Sequence, residues 1–401
     1  MGADDAAPAA RADPVRRPMR GRDPGEEHRA STPLELLFDL TFVVAVSQAA
    51  AQLHHALAEG RTGPGLLGYA AVFFAIWWAW MNFTWFASAY DTDDVLYRLL
   101  TLVQMAGVLV LASGVPAAFR HGDWALVVAG YVIMRVALVA QWLRAAAADP
   151  AGRRAALRYA AGVTVVQAGW VARLWVSGGW APATFVVLVV AELSVPAWAE
   201  FRGRATRWHP GHIAERYGLF TIIVLGEVIL GSLAAVQSAV TARGLSAQVL
   251  LIAVGGLLLV FALWWLYFTG PDVRLTTLRT ALTWGYGHYA VFAALAALGA
   301  GIEAALDVTE HHAHLSERAA GLAVAVPVAL VLPLLAALHR VTGTGAPGHG
   351  PLLTAGALVV LALGYGAPLL GPGGAVLGMG TAVAATLVAA LRAGRRRAPG
   401  P

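Results

Sequence analysis

Long uninterrupted apolar stretches constrain this sequence more than any other feature. Residues 245–268 contain no acidic, basic or histidine side chain, and similar stretches follow one another along the chain. An α-helix needs about 20 apolar residues to cross the hydrocarbon core of a bilayer. Only 13% of all residues are charged and 58% are hydrophobic, whereas about 25% are charged in a soluble domain. The sequence therefore predicts an all-α integral membrane protein.

The apolar stretches number twelve, and each is long enough for one membrane-spanning helix. We expect the last two to be separate spans, although the Gly-Pro-Gly-Gly segment at 371–374 also suits a single re-entrant hairpin. The expected spans are roughly 34–57, 65–85, 95–118, 122–143, 155–177, 179–199, 213–237, 245–268, 279–302, 317–339, 351–370 and 373–392.

Arginine residues are unevenly distributed among the loops between these spans. When the amino terminus is placed in the cytoplasm, most arginines fall on that side, as the positive-inside rule requires. We therefore expect a disordered cytoplasmic tail at 1–33, a cytoplasmic linker at 200–212 and a basic cytoplasmic tail at 393–401. The expected location is the bacterial cytoplasmic (inner) membrane. The net charge of +5 then reflects membrane orientation, and no nucleic-acid partner is expected.

The sequence also suggests an internal repeat. When Glu215 is aligned with Glu35, Thr221 falls opposite Thr41, and the apolar pattern stays in step. The second and eighth spans match in a similar way, through Trp80, Phe83 and Thr84 against Trp265, Phe268 and Thr269. We therefore predict two six-helix repeats, 34–199 and 213–392, related by an axis along the membrane normal because an even number of spans gives parallel repeats.

Four segments resemble signatures of the bacterial low temperature requirement protein A family. They are ELLFDLTFVVAVSQ from Glu35, YDTDDVLYRLL from Tyr90, ERYGLFTIIVLGEVILG from Glu215 and GHYAVFAALAALGAGIEAAL from Gly287. The resemblance covers roughly residues 31–340, and Leu37 stands where the family usually has Phe. It implies a multi-pass membrane protein with a link to growth in the cold, and it does not imply a particular biochemical activity.

Three ionisable side chains within the expected spans are candidates for a transport or ion site. A charged residue in a span costs about 2.5–3.5 kcal/mol on insertion scales, so it needs a partner, a water-filled cavity or a function. Asp39 lies roughly 8 Å into the first span, Glu227 lies near the middle of the seventh, and His288 lies within the ninth. The alternatives are a structural ion pair for Asp39 and hydrogen bonds between helices for Glu227 and His288.

Other polar residues in the spans favour a structural role. We expect a layer of paired charges near the cytoplasmic end of the helices, in which Glu35 also forms a capping box with Thr32. The members of this layer are Glu35, Arg98, Arg135, Glu192, Glu215 and Arg216. Gln48, Gln52 and His55 lie on another side of the first span and are candidates for lining a path.

The remaining motifs limit the possible functions. The chain contains no cysteine, and it has no phosphate-binding glycine loop, zinc motif or nucleophile elbow. We therefore expect no cofactor, no metal site and no enzymatic activity. The leading hypothesis is a channel or secondary transporter for a small ion or polar solute, with the lipid bilayer as the surrounding partner. The alternatives are a membrane-embedded enzyme acting on a lipid-soluble substrate and a non-catalytic scaffold or sensor linked to cold growth.

Overall fold

The computed structural model describes residues 15–23, 25–26, 29–200, 206–269, 273, 275–310, 314–344 and 348–395. The secondary structure of this part of the chain is helical and contains no strand, which confirms the all-α part of the prediction. The α-helices are α1 (Pro33–Ala58), α2 (Thr62–Tyr90), α3 (Val95–His121), α4 (Ala125–Ala148), α5 (Arg153–Ala172), α6 (Trp180–Glu200), α7 (Pro210–Arg243), α8 (Ala247–Phe268), α9 (Leu278–Thr309), α10 (Glu317–Val341), α11 (His349–Tyr365) and α12 (Ala367–Arg395).

Ten of these helices are long and apolar enough to cross a membrane, judged over the described residues by length and composition. The two others are α5, which begins with Arg153 and Arg154 and carries Arg158 one turn later, and α11, which has 17 residues. A multi-pass membrane protein is therefore supported. The predicted arrangement of twelve spans in two repeats is not established by these helices.

Side-chain caps explain where several helices begin. At the start of α1, the Glu35 N–H donates to Thr32 Oγ1 at 3.3 Å and the Thr32 N–H donates to Glu35 Oε2 at 2.8 Å. This is the predicted capping box, and it satisfies two backbone donors that a helix start leaves open. The hydroxyls of Ser246, Thr277 and Ser316 cap α8, α9 and α10 more simply, each by accepting one backbone N–H three residues later.

The last two helices meet at a different place from the predicted one. The boundary lies at Gly366, because α11 ends at Tyr365 and α12 begins at Ala367. The Gly-Pro segment instead produces a kink inside α12, where Gly371 adopts φ 71° and ψ 156°. The kink leaves the Gly373 N–H outside the regular helical pattern, and this group donates to Gln248 Oε1 of α8 at 2.7 Å.

The helices form two compact units, each assembled from separated parts of the sequence. The first comprises the described residues of Met1–Glu26, Phe83–Gly107 and Val128–His209, and the second those of Glu27–Asn82, Val108–Val127 and Pro210–Pro401. These units do not coincide with the expected halves 34–199 and 213–392, since α1 and most of α2 cluster with α7–α12. The internal repeat remains a prediction.

In the first unit, an ordered part of the amino-terminal segment anchors against the start of α3. Met19 is 1% exposed, and the Arg17 N–H donates to Asp94 Oδ2 at 2.8 Å. Arg144 Nη2 lies 2.5 Å from the same oxygen. Burial alone would raise the pKa of Asp94, but these donors and the N–H of Tyr97 outweigh it and lower that pKa. Residues 15–23, expected to be part of a disordered tail, are thus held in place.

In the second unit, α1, α7 and α9 pack against one another, and α8 packs along α12. Glycine permits the closest approach between α8 and α12. A Cβ atom on Gly255 would lie 2.5 Å from the backbone nitrogen of Leu377, and one on Gly380 would lie 2.6 Å from the carbonyl oxygen of Gly255. Small residues at such contacts are typical of helices that associate within membranes, where dispersion forces replace the hydrophobic effect.

Candidate functional site

A buried charge cluster joins α1 and α7. It consists of Glu35, Asp39, Trp80, His212 and Arg216, all of which are 0% exposed. Arg216 Nη2 lies 2.5 Å from Asp39 Oδ1 and Arg216 Nε lies 3.0 Å from Asp39 Oδ2. Arg216 Nη1 lies 3.0 Å from Glu35 Oε1. One guanidinium therefore contacts both carboxylates that the sequence places one helical turn apart.

Two further side chains complete this cluster. The Trp80 indole donates from Nε1 to Asp39 Oδ1 at 2.7 Å, and His212 Nε2 lies 3.1 Å from Glu35 Oε1. Arg29, which is 7% exposed, also acts electrostatically on His212, so two guanidinium groups stand near the two carboxylates. The buried acids of this cluster are therefore offset by basic side chains, as buried charges require.

An aromatic layer borders the buried charge cluster. Trp80 stacks on Phe220 at 4.4 Å between ring centroids and meets Tyr217 edge-on at 4.8 Å. Phe292 of α9 lies 4.9 Å from Phe220 and 5.9 Å from Trp80. All four rings are completely buried. Close-packed rings leave no room for a file of water molecules, so this layer of rings from α2, α7 and α9 is closed to water.

A second ionisable group, the His54 cluster, lies farther along α1 and includes two acids of α9. His54 Nε2 is 2.7 Å from Asp307 Oδ2, and His54 Nδ1 is 3.2 Å from Glu303 Oε2. Glu227 of α7 lies close enough to Glu303 for the two carboxylates to repel each other when both are charged. The cluster is partly accessible, since the side chains of His54 and Asp307 are 16% and 31% exposed.

The two clusters lie at different levels of the three-helix arrangement. At about 1.5 Å per residue, Asp39 and His54 are roughly 22 Å apart along α1, and Arg216 and Glu227 are roughly 16 Å apart along α7. Among the described residues, no group of three or more histidine and acidic side chains has the geometry of a metal site.

His288 lies apart from both the buried charge cluster and the His54 cluster. Its Nδ1 lies 2.8 Å from the Trp284 carbonyl oxygen, which can only accept, so Nδ1 carries a hydrogen. In the neutral ring Nε2 is then an acceptor, and it receives the hydroxyl hydrogen of Tyr267 at 3.0 Å. His288 is 1% exposed and lines a cavity of about 200 Å³. The structure thus places Asp39, Glu227 and His288 in three separate surroundings and does not bring them together.

The residues expected to form a structural charge layer divide into two kinds. Glu35 and Arg216 pair in the second unit, and Arg135 Nη2 lies 3.3 Å from Glu192 Oε2 in the first, where both residues are buried. Arg98 instead pairs with Asp93 at the exposed start of α3. Glu215 is exposed, and its carboxylate accepts the backbone N–H of Ser31 at 3.2 Å.

The candidate path residues on α1 lie in different environments. Gln52 is buried, Gln48 is partly buried and His55 is exposed. The side chain that faces the acids of α9 is His54, which the sequence reasoning missed. The predicted ninth span ends at 302, which leaves Glu303 and Asp307 outside it, whereas α9 continues to Thr309. The four-residue spacing of Glu303 and Asp307 puts both on one helical face, and this spacing is the sequence signal that the helix continues.

Comparison with known proteins assigns the family. The family model described as bacterial low temperature requirement A protein (LtrA) matches residues 30–390. The chain belongs to this family. The matched region contains the buried charge cluster, the aromatic layer and the His54 cluster, so these features lie within the part shared with the LtrA family.

A curated relative is an uncharacterised protein of Rhizobium meliloti (strain 1021). It is 33% identical to this chain over 222 residues, which is 51% of each of the two sequences. The LtrA-family chain therefore spans about half the length of that relative. The names of the family and of this relative specify no reaction, substrate or ligand.

Proposed function

We propose that this LtrA-family protein is a channel or secondary transporter that moves a small cation, protons included, along α1, α7 and α9. One observation carries the proposal: the buried charge cluster and the His54 cluster share helices α1 and α7, with the aromatic layer beside the first of them. Ionisable groups inside a membrane are costly, and they commonly mark ion pathways or proton relays.

The charge balance of the His54 cluster favours a cation. Glu303 and Asp307 contact one imidazole, and Glu227 lies near Glu303. This cluster therefore has more acidic than basic groups, and acidic groups along a pore attract cations and repel anions. A cation or a proton would offset this excess.

The aromatic layer acts as a closed gate in this proposal. Trp80 of α2, Phe220 of α7 and Phe292 of α9 pack against one another beside the charge cluster, so conduction past them requires them to separate. Apolar constrictions commonly gate channels by excluding water. A small rotation or shift of α7 against α1 would open the gate only if the contacts between Arg216 and Asp39 rearranged at the same time, which couples the charge cluster to opening.

The membrane arrangement is part of the same proposal. The ten long helices, with α5 and α11, would make twelve spans in two parallel six-helix repeats. Both termini would be cytoplasmic in the bacterial inner membrane, which puts the buried charge cluster near the cytoplasmic side and the His54 cluster near the outer side. The protein would work without enzymatic turnover and without a cofactor.

Flux into liposomes tests the proposal. Purified protein is reconstituted into liposomes that contain a pH dye. In these vesicles a valinomycin-clamped potassium potential drives protons inward. Parallel vesicles carry sodium or potassium indicators and report the flux of those two cations. The proposal predicts faster flux of at least one of these cations than in empty vesicles, and reduced flux in Glu227→Gln, since this substitution removes one acidic group beside Glu303. Equal rates in wild type, Glu227→Gln and empty vesicles would contradict it.

A further inference from the structure

The two ring nitrogens of His54 each face a carboxylate oxygen. Nε2 lies 2.7 Å from Asp307 Oδ2, and Nδ1 lies 3.2 Å from Glu303 Oε2. A neutral imidazole carries one hydrogen, and an ionised carboxylate carries none. With a single hydrogen available, one ring nitrogen would turn its lone pair toward a carboxylate oxygen, and these two atoms would repel each other. Both contacts are attractive only when the three groups share one more proton, on the imidazole or on a carboxyl group.

The helices packed against α1 bring mainly acidic groups to His54. These helices are α7 and α9, and α9 contributes Glu303 and Asp307. From α7, Glu227 lies close enough to Glu303 for the two charges to repel each other. On α1 itself, the ring of His55 is 5.3 Å from that of His54, and His55 is exposed. A proton added to the cluster relieves the repulsion among its acids.

Gly231 of α7 provides the space in which the carboxylate of Glu303 lies. A Cβ atom on Gly231 would lie 2.5 Å from Glu303 Oε1, which is too close for two non-bonded atoms. The other oxygen of this carboxylate is the one that contacts His54 Nδ1. A side chain at Gly231 would therefore displace the Glu303 carboxylate from His54. Gly231 is thus a positioning residue for this contact, and it lies one helical turn after Glu227 on the same face of α7.

The contacts of His54 favour a proton over a metal ion. Imidazole binds a metal through a nitrogen lone pair, but both nitrogens of His54 already face acidic oxygens. A proton instead fits between a nitrogen and an oxygen that lie 2.7 or 3.2 Å apart, as in an ordinary N–H···O hydrogen bond. The side chains of His54 and Glu303 are 16% and 22% exposed, so a proton can exchange with water.

We propose that the His54 cluster is a site for one proton, held between the imidazole and the carboxylates of Glu303 and Asp307. The proton comes from water and returns to water, and no other bond changes. Its release turns one contact between α1 and α9 from attraction to repulsion and so loosens the two helices there. The proton site stands on these contacts alone, whereas the proton as the cation that the protein moves rests on the proposed function.

The pH dependence of Tm, measured on the full chain in detergent, tests the proton site. A native state that binds an extra proton loses stability as pH rises, so the wild-type Tm should fall between about pH 6 and about pH 8, around the usual histidine pKa. Gly231→Ala and His54→Gln should both flatten this fall. Gly226→Ala is the matched control and should keep it, because a Cβ atom on Gly226 meets no atom within 4 Å. A fall in Gly231→Ala or His54→Gln as steep as in wild type would overturn the proposal.

Cation flux into liposomes tests the proton as the transported ion. Wild type and Gly226→Ala should move protons several-fold faster than Gly231→Ala, and they should carry sodium and potassium no faster than empty vesicles. Sodium or potassium flux without proton flux would overturn the proton as the transported cation. Absence of flux for all three cations, with the expected pH dependence of Tm, would contradict the proposed function and support the proton site by itself.

Discussion

Arg216 on α7 holds the carboxylate of Asp39 on α1 through two contacts, Nη2 to Oδ1 at 2.5 Å and Nε to Oδ2 at 3.0 Å. Both side chains are completely buried. The geometry is bidentate, which fixes direction as well as distance. Because Arg216 Nη1 also lies 3.0 Å from Glu35 Oε1, a single side chain ties the seventh helix to two turns of the first.

The first prediction concerns the stability of this tie. Arg216→Gln removes the guanidinium that contacts Asp39 and Glu35 and leaves the buried Asp39 carboxylate with the Trp80 indole alone, and breaking a buried ion pair on one side costs about 3–5 kcal/mol. We expect a clear drop in Tm in detergent, measured by scanning fluorimetry. Arg98→Gln is the control, since Arg98 pairs with Asp93 at an exposed position, where a pair contributes about 0–1 kcal/mol. Equal Tm values for the two variants would contradict the assignment.

The second prediction concerns the gate. Trp80→Ala removes the ring that contacts Phe220 and Phe292, as well as the indole hydrogen bond to Asp39. Water then gains access to the layer, and proton flux into liposomes should rise above that of wild type. Trp265→Ala is the control, because Trp265 is 52% exposed. If folded Trp80→Ala protein conducts no faster than Trp265→Ala, the aromatic layer is not the barrier.

The third prediction concerns pH and the segment 15–23. Because the folded-state pKa of Asp94 is below its usual value of 3.8, its ionised form stabilises the fold at every pH above that value. This contribution is lost as pH falls through the lowered folded pKa. The protection of residues 15–23 from hydrogen exchange, measured relative to the intrinsic rate at each pH, should therefore stay high at pH 5. It should fall only below about pH 4.

Two variants separate Asp94 from its surroundings in that experiment. Asp94→Asn removes the titrating group, so the segment should exchange faster at neutral pH and lose most of its acid dependence. Asp93→Asn serves as the control because Asp93 is exposed and its partner is Arg98. Unchanged exchange in Asp94→Asn would show that the amino-terminal segment is held by other contacts.

The fourth prediction concerns orientation. The chain contains no cysteine, so single cysteine substitutions need no altered background. In intact bacterial spheroplasts, a membrane-impermeant maleimide should label Glu59→Cys, after α1, and should label Ala151→Cys, between α4 and α5, only after lysis. Both residues are exposed. The reverse pattern, or labelling of both from one side, would contradict cytoplasmic termini or the number of spans between them.

The sequence predicts the helical membrane class and the capping box of Thr32 and Glu35, because both depend on the local residue pattern. It also grouped Arg216 with Glu35, since a charge within a span needs a partner at similar depth. It does not predict the contacts of Trp80 and His212 in the buried charge cluster, or the contact of His54 with Asp307. These contacts join helices far apart in the chain, and helix neighbours cannot be read from a single apolar sequence.

The predicted end of the ninth span was wrong for a related reason. Glu303 and Asp307 resemble loop residues when considered alone, because two acids in four positions normally favour water. In the structure His54 contacts both Glu303 and Asp307, and α9 continues through these two residues to Thr309. The partner histidine, which is 253 residues from Asp307, makes the extra helical turns compatible with an apolar surrounding.

The flux of Glu303→Gln, compared with that of Glu59→Gln, tests the cation path most directly. Both substitutions remove one carboxylate, but Glu303 contacts His54 inside the three-helix arrangement, whereas Glu59 pairs with Arg61 at an exposed position. In liposomes under a clamped potential, Glu303→Gln should conduct several-fold more slowly than wild type, and Glu59→Gln should match it. Equal flux through Glu303→Gln and Glu59→Gln would contradict a path that uses the His54 cluster.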